Sequence, residues 1–96
     1  MRVISKKPLR DFCERHPQSK TMMDGWFKKA SQCQADSFPA LRQTFNTADY
    51  VDGFTLFDVG GNQYRIAAVI HYDKQRIYVR AVMSHAEYDR NHWRKK

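Results

Sequence analysis

Several features that would place a chain in a familiar class are missing here. Only two cysteines occur among 96 residues, Cys13 and Cys33, twenty positions apart. No CxxC or HxxxH spacing exists, so neither a structural zinc site nor a disulfide framework is expected, and no cofactor or metal is called for. Both cysteines fall on apolar stripes of candidate helices, which reads as two small core side chains in a reducing compartment. The longest apolar run, Ile66 to Ile70, is far shorter than the ~20 residues that span a bilayer. Met1 to Lys7 lacks the apolar stretch of a signal peptide. A cytoplasmic protein with no membrane partner is the expectation. There is no internal repeat and no low-complexity segment.

What is present argues for one folded domain over residues 1–96. Hydrophobic residues make up 42% and aromatics 14%, enough for a small core. The charge is lopsided. Seventeen Lys and Arg oppose ten Asp and Glu, a net +7. Residues 1–30 and 76–96 are basic and the middle is mildly acidic. Such a surface attracts polyanions by counterion release. A solvated basic surface without a partner is the blander alternative.

Periodicity then sets the elements. Arg2 to Ser5 reads as a short strand. Pro8 suits a first helical turn, Leu9, Phe12, Cys13 and His16 recur at helical spacing, and Pro17 ends the run. Ser19 is a candidate cap for a second helix with Met23, Trp26, Phe27, Ala30 and Cys33 as its apolar stripe. Residues 37–45 fit a cap and one helical turn, and Asn46 to Asp52 a loop. Phe54–Val59, Gln63–Tyr72 and Arg76–Ser84 are strand-like. Gly60-Gly61 closes the first hairpin, and Asp73 to Arg76 the second. The class is α+β, with an N-terminal strand and a helical hairpin packed on a mainly antiparallel sheet.

Two permanent charges, Arg65 and Arg80, interrupt these apolar strands. By alternation Arg65 shares a face with Ala67, Val69 and His71. A two-residue turn at Lys74-Gln75 pairs Val69 with Arg80 and Arg65 with Ser84, so both arginines share one face and His85 emerges beside Arg65. Either Leu56 or Asp58 neighbours Arg65, depending on the first turn. An Asp58 salt bridge on an open sheet face is the plainer role for Arg65. Tyr88 and Asp89 follow His85 within about one helical turn.

Arg, His and Tyr together can cleave RNA without a metal. RNA carries its own nucleophile, the 2′-hydroxyl, so the protein must supply a base, an acid and cations for the phosphorane. Histidine serves either proton role. Arginine forks match phosphate oxygens. Tyr88 can donate a proton or stack on a base, and Asp89 can orient His85. The tail Arg90 to Lys96, with Trp93, Lys95 and Lys96, mixes cations with an aromatic ring, as suits a phosphate backbone and a stacked base. A frayed, soluble terminus is the alternative. His16, His71 and His92 lack such company and read as structural or solvated.

The segments Gly60-Gly61-Asn62-Gln63-Tyr64-Arg65-Ile66, Tyr78-Val79-Arg80 and Ser84-His85-Ala86-Glu87-Tyr88-Asp89 resemble the HigB toxins of bacterial type II toxin–antitoxin systems, a branch of the RelE-like superfamily. The resemblance covers most of the chain, including the Leu9–Phe12 helix, Phe38-Pro39 and the Trp93 tail. It implies a RelE-like fold with a short C-terminal helix and mRNA endonuclease activity, often on the translating ribosome. It also implies neutralisation by a HigA-type helix-turn-helix antitoxin, with operator DNA reached only through that antitoxin. By position, Arg65 resembles the arginine on the scissile phosphate and Arg80 a second phosphate ligand. His85 and Tyr88 resemble the acid–base residues, and Asn62 and Asp89 match further motif positions. In related toxins the His and Tyr can be adjacent, whereas two residues separate them here, so their roles stay undivided. Two other functions fit the same residues, a ParE-like toxin that binds DNA gyrase and a basic RNA-binding module without chemistry.

Overall fold

The computed structural model describes residues 1–61 and 63–90. Strand β1 (Arg2–Ile4) leads into helix α1 (Lys7–Arg15), and a 3-10 turn (Pro17–Ser19) opens α2 (Lys20–Gln32). Helix α3 (Phe38–Thr44) follows. Strands β2 (Asp49–Val51), β3 (Phe54–Val59), β4 (Tyr64–His71) and β5 (Arg76–Ser84) then run into the short helix α4 (His85–Asp89). The sheet order is β1-β5-β4-β3-β2, with only the β1–β5 pair parallel. This is the expected α+β arrangement.

The helical periods do what their spacing implies. Leu9 and Phe12 of α1 and Met23, Trp26 and Ala30 of α2 are buried. They pack with Leu41, Phe57, Ile66, Ile77 and Val79 into one core on one side of the sheet. Phe57 takes the edges of both Trp26 (5.2 Å) and Phe45 (4.9 Å), and Phe12 stacks on His16 at 4.4 Å. Both cysteines are free, Cys33 buried and Cys13 half-buried. The Met1 amino group donates to the carbonyls of Ala30, Ser31 and Cys33. That puts a cation at the C-terminal end of α2, where the helix dipole favours one.

Three local expectations need correction. Ser19 occupies the N-cap position of α2 but does not cap it. It is fully buried, and its hydroxyl donates to the His16 carbonyl at 2.7 Å instead. Ser37, by contrast, does cap α3, accepting from the Ala40 N–H. Asn46 to Asp52 is not all loop. It contains β2, joined to β3 by Asp52-Gly53, whose φ values of 52° and 85° are both positive, as a tight hairpin turn requires.

The third correction concerns register. The turn before β5 is a 3-10 turn, Tyr72–Lys74, followed by Gln75 at φ 54°. It is longer than a two-residue loop. Arg65 therefore faces Met83, not Ser84. Between Ala67↔Ala81 and Ala68↔Val79 the ladder shifts, and Arg80 is the residue passed over. A β-bulge thus replaces the expected Val69–Arg80 pair. At the other hairpin, Gly60 and Gly61 hold φ values of 70° and 59°. A Cβ on Gly60 would lie 2.3 Å from the Met22 sulfur, so both conformation and space call for glycine there.

Candidate active site

The sheet face away from the helical core carries a small second apolar cluster. Leu56, Ala67 and Met83 are buried there, with Val51, Phe54, Ala81 and Tyr88 packed against them. Arg65 lies on this face because it is two residues from Ala67 along β4, while Ile66 between them points into the helical core. Asp58 of β3 is its direct cross-strand partner, and the other expected neighbour, Leu56, lies two pairs further along, opposite Ala67 on the same face.

Arg65 Nη1 sits 2.8 Å from Asp58 Oδ1, with both side chains about four-fifths buried. The distance is that of an ion pair, yet buried Nη1 has no aligned hydrogen-bond acceptor among the described residues. The two charges face each other wherever the hydrogens point. On its other side the guanidinium lies 5.2 Å from the centre of the Tyr88 ring, a cation–π contact. The plainer role foreseen for Arg65, an Asp58 bridge, is therefore real. It is also part of a larger constellation, because a cleft of about 80 Å³ opens between Thr47, Asp49, Leu56, Asp58, Arg65 and Tyr88.

Tyr88 reaches Arg65 because α4 starts where it does. Ser84 and Glu87 form a reciprocal capping box. The Glu87 N–H donates to Ser84 Oγ at 3.3 Å, and the Ser84 N–H to Glu87 Oε1 at 2.9 Å. The His85 N–H donates to the Gln63 carbonyl at 3.1 Å, which ties the helix start to the β3–β4 turn. Within α4, His85 Nδ1 lies 3.2 Å from Asp89 Oδ2. The carboxylate thus faces one ring nitrogen and leaves Nε2 for a proton-transfer partner.

Of the residues singled out from sequence, Arg65 and Tyr88 meet in the cleft, and His85 and Asp89 pair on the helix that supplies Tyr88. Arg80 is exposed at the bulge and makes no ion pair with another described residue. Arg90 is exposed at the end of α4. Asn62, Trp93, Lys95 and Lys96 lie outside the described residues. Thr47 and Asp49 of the cleft were not foreseen. The Asp52-Gly53 pair was the available signal, since a two-residue hairpin there sets Asp49 opposite Leu56 on the same face. Among the described residues no three His, Cys, Asp or Glu side chains gather as a metal site, and no helix is long and apolar enough to cross a membrane.

Comparison with known proteins adds a family. Residues 19–91 match the family described as HigB_toxin, RelE-like toxic component of a toxin-antitoxin system. The chain is 37% identical to the mRNA interferase toxin HigB of Escherichia coli (strain K12), over 93% of this chain and 88% of that protein. The mRNA interferase HigB of Shigella flexneri matches to the same extent. A more distant relative, the mRNA interferase HigB of Escherichia coli O6:H1, is 27% identical over 94% of this chain and 90% of that protein.

Proposed function

The chain belongs to the HigB family of RelE-like toxins, and on that premise we propose that it is a toxin that stops translation by cutting mRNA. The cut uses no metal ion. The observation that carries the site assignment is the placement of Arg65 between Asp58 and the Tyr88 ring, on an open sheet face beside the His85–Asp89 pair. A buried, oriented guanidinium is suited to a phosphate that arrives from solvent.

The chemistry balances without a cofactor. The RNA 2′-oxygen attacks phosphorus while a base takes the 2′-hydroxyl proton. The 5′-oxygen leaves and receives a proton from an acid, giving a 2′,3′-cyclic phosphate and a free 5′-hydroxyl. Arg65 holds the scissile phosphate and stabilises the phosphorane, with exposed Arg80 as a second phosphate ligand. His85 and Tyr88 exchange the protons, and Asp89 orients the imidazole. Arg90, Asn62 and the tail residues Trp93, Lys95 and Lys96 extend the grip on RNA.

The toxin works as one cytoplasmic domain, on mRNA held by the ribosome. A HigA-type helix-turn-helix antitoxin neutralises it and alone brings it to operator DNA. Purified protein given mRNA on ribosomes should cut it and leave 2′,3′-cyclic or 3′-phosphate ends, with no divalent ion needed beyond the magnesium that keeps the ribosome intact. Undiminished cutting by an Arg65→Ala, His85→Ala double variant would overturn the site assignment. An arrest of DNA replication ahead of protein synthesis in expressing cells would overturn the ribonuclease reading.

A further inference from the structure

A second cluster of cations and rings lies on the same open sheet face, at the end remote from Arg65. His71 ends β4 and Arg76 begins β5, and the two are cross-strand partners. Arg76 is also the partner of Arg2 in the parallel β1–β5 pair. Tyr78 is paired with Val69 on one side and Ile4 on the other. Directly opposed residues share a face. The intervening pairs, built on Val3 and Ile77, point into the helical core. Arg2, His71, Arg76 and Tyr78 are therefore turned away from the core, on the side that carries Arg65.

Three of the four side chains touch, and Arg2 stands beside Arg76 in the strand register. The His71 and Tyr78 rings meet edge to face with centroids 5.1 Å apart. Arg76 Nη1 lies 3.5 Å from the Tyr78 hydroxyl. Arg2 and His71 are exposed, and Tyr78 and Arg76 half-exposed. Carboxylates are placed elsewhere. Asp49 and Asp58 share this face but belong to β2 and β3, toward the sheet edge away from β1, and Asp73 in the adjoining turn is exposed. Arg80 stands between the two clusters, exposed at the bulge of β5. Along β5, Arg76 is separated from Met83, the partner of Arg65, by roughly 20 Å at ~3.3 Å per residue.

We infer that Arg2, Arg76, His71 and Tyr78 form a second nucleotide subsite, which takes a phosphate and an unstacked base of the RNA strand held at Arg65. The subsite rests on the ribonuclease reading for the identity of the strand. Single-stranded RNA is the occupant that this chemistry fits. Two guanidinium groups answer a phosphate, and an exposed imidazole beside a tyrosine ring offers a stacking surface that accepts any base. The separation from Arg65 exceeds one nucleotide, so only a strand long enough to cross Arg80 engages both ends.

Length dependence is the test. Binding of the full chain to 2′-O-methyl oligoribonucleotides of about four and about twelve nucleotides is measured by fluorescence anisotropy, lengths that bracket a single-strand site. An Arg2→Ala, Arg76→Ala variant should bind the long strand about tenfold more weakly than wild type, with a salt slope smaller by roughly one. It should bind the short strand unchanged. His71→Ala should weaken the long strand alone by about fivefold, within the range for one lost stack. Lys28→Ala, an exposed cation on α2, should change neither. Equal losses on short and long strands, or an unchanged long-strand affinity and salt slope, would overturn the subsite. Thermal melts of each variant show that any loss is not unfolding. Cleavage is scored separately. RNA cutting without a length-dependent gap removes the subsite only, and a gap without cutting removes the ribonuclease reading only.

Discussion

Arg65 and Asp58 face each other across β3 and β4 with 2.8 Å between Nη1 and Oδ1. The charge proposed to hold the scissile phosphate is thus already paired in the free protein. Asp58 keeps the guanidinium over Tyr88, and it also competes with any phosphate that approaches. Asp58→Asn should therefore bind a non-cleavable RNA analogue about threefold to tenfold more tightly than wild type, tenfold being about 1.4 kcal/mol of relieved competition. Anisotropy titrations at fixed salt would show it. Unchanged or weaker binding would mean that Asp58 only positions Arg65.

His85 and Asp89 are a second pairing, 3.2 Å apart on α4. If His85 moves a proton, His85→Ala should slow cleavage by about 10²- to 10⁴-fold, the usual contribution of a general acid or base. Asp89→Asn keeps the shape and removes the charge, and should cost about tenfold with little change in KM. Single-turnover cleavage on a defined mRNA measures both. Equal effects of the two changes on KM alone would assign the pair to binding.

The placement of Tyr88 depends on the start of α4. Ser84→Ala removes one arm of the capping box, which should cost about 1 kcal/mol of stability. The cleavage rate should fall by more than this predicts, because Tyr88 and His85 both ride on that helix. Urea denaturation and cleavage assays on the same preparation compare the two. A variant that loses stability but retains full activity would show that α4 holds its position without the cap.

Away from the site, burial raises the Tyr72 phenol above the ordinary tyrosine value of 10.0, with the nearby Thr55 hydroxyl pulling it partly back. The phenol oxygen is buried with no aligned hydrogen-bond partner among the described residues, consistent with burial as the dominant cause. The neutral form is favoured in the folded state. Its contribution is complete below the unfolded value and is lost as pH rises through the folded one. The stability of wild type relative to Tyr72→Phe should hold steady up to about pH 10 and decline above it. Urea midpoints for the two proteins across that range would show the decline, and a constant difference would contradict it.

Much of this architecture is legible in the residues. Helix α2 and strands β3 to β5 announce themselves because their side chains repeat at helical or alternating spacing and the buried set follows that repeat. Strand β2 is only three residues long, too short to show alternation, although Asp52-Gly53 marks its hairpin. Ser19 has the composition of a cap and the place of one. A buried hydroxyl bonds whatever acceptor packing supplies, here the His16 carbonyl, and local propensity does not decide that.

The Arg65–Asp58 pair shows where the division lies. That Arg65 belongs to a strand, shares a face with Ala67, and has Leu56 or Asp58 beside it follows from alternation and one turn. That the neighbour is Asp58, that Tyr88 closes over the guanidinium, and that Arg80 sits in a bulge do not. Alternation orders side chains along one strand, whereas pairing between strands depends on turn length and on contacts distant in sequence. The β4–β5 turn illustrates it. Gln75 holds a positive φ there, and its side-chain amide donates to the Tyr72 carbonyl and to Ala35, forty residues away. Residue identity alone says which side chains are apolar, cationic or able to move a proton. Which of them meet is settled by the fold, because register and bulge are set by packing that no local pattern encodes.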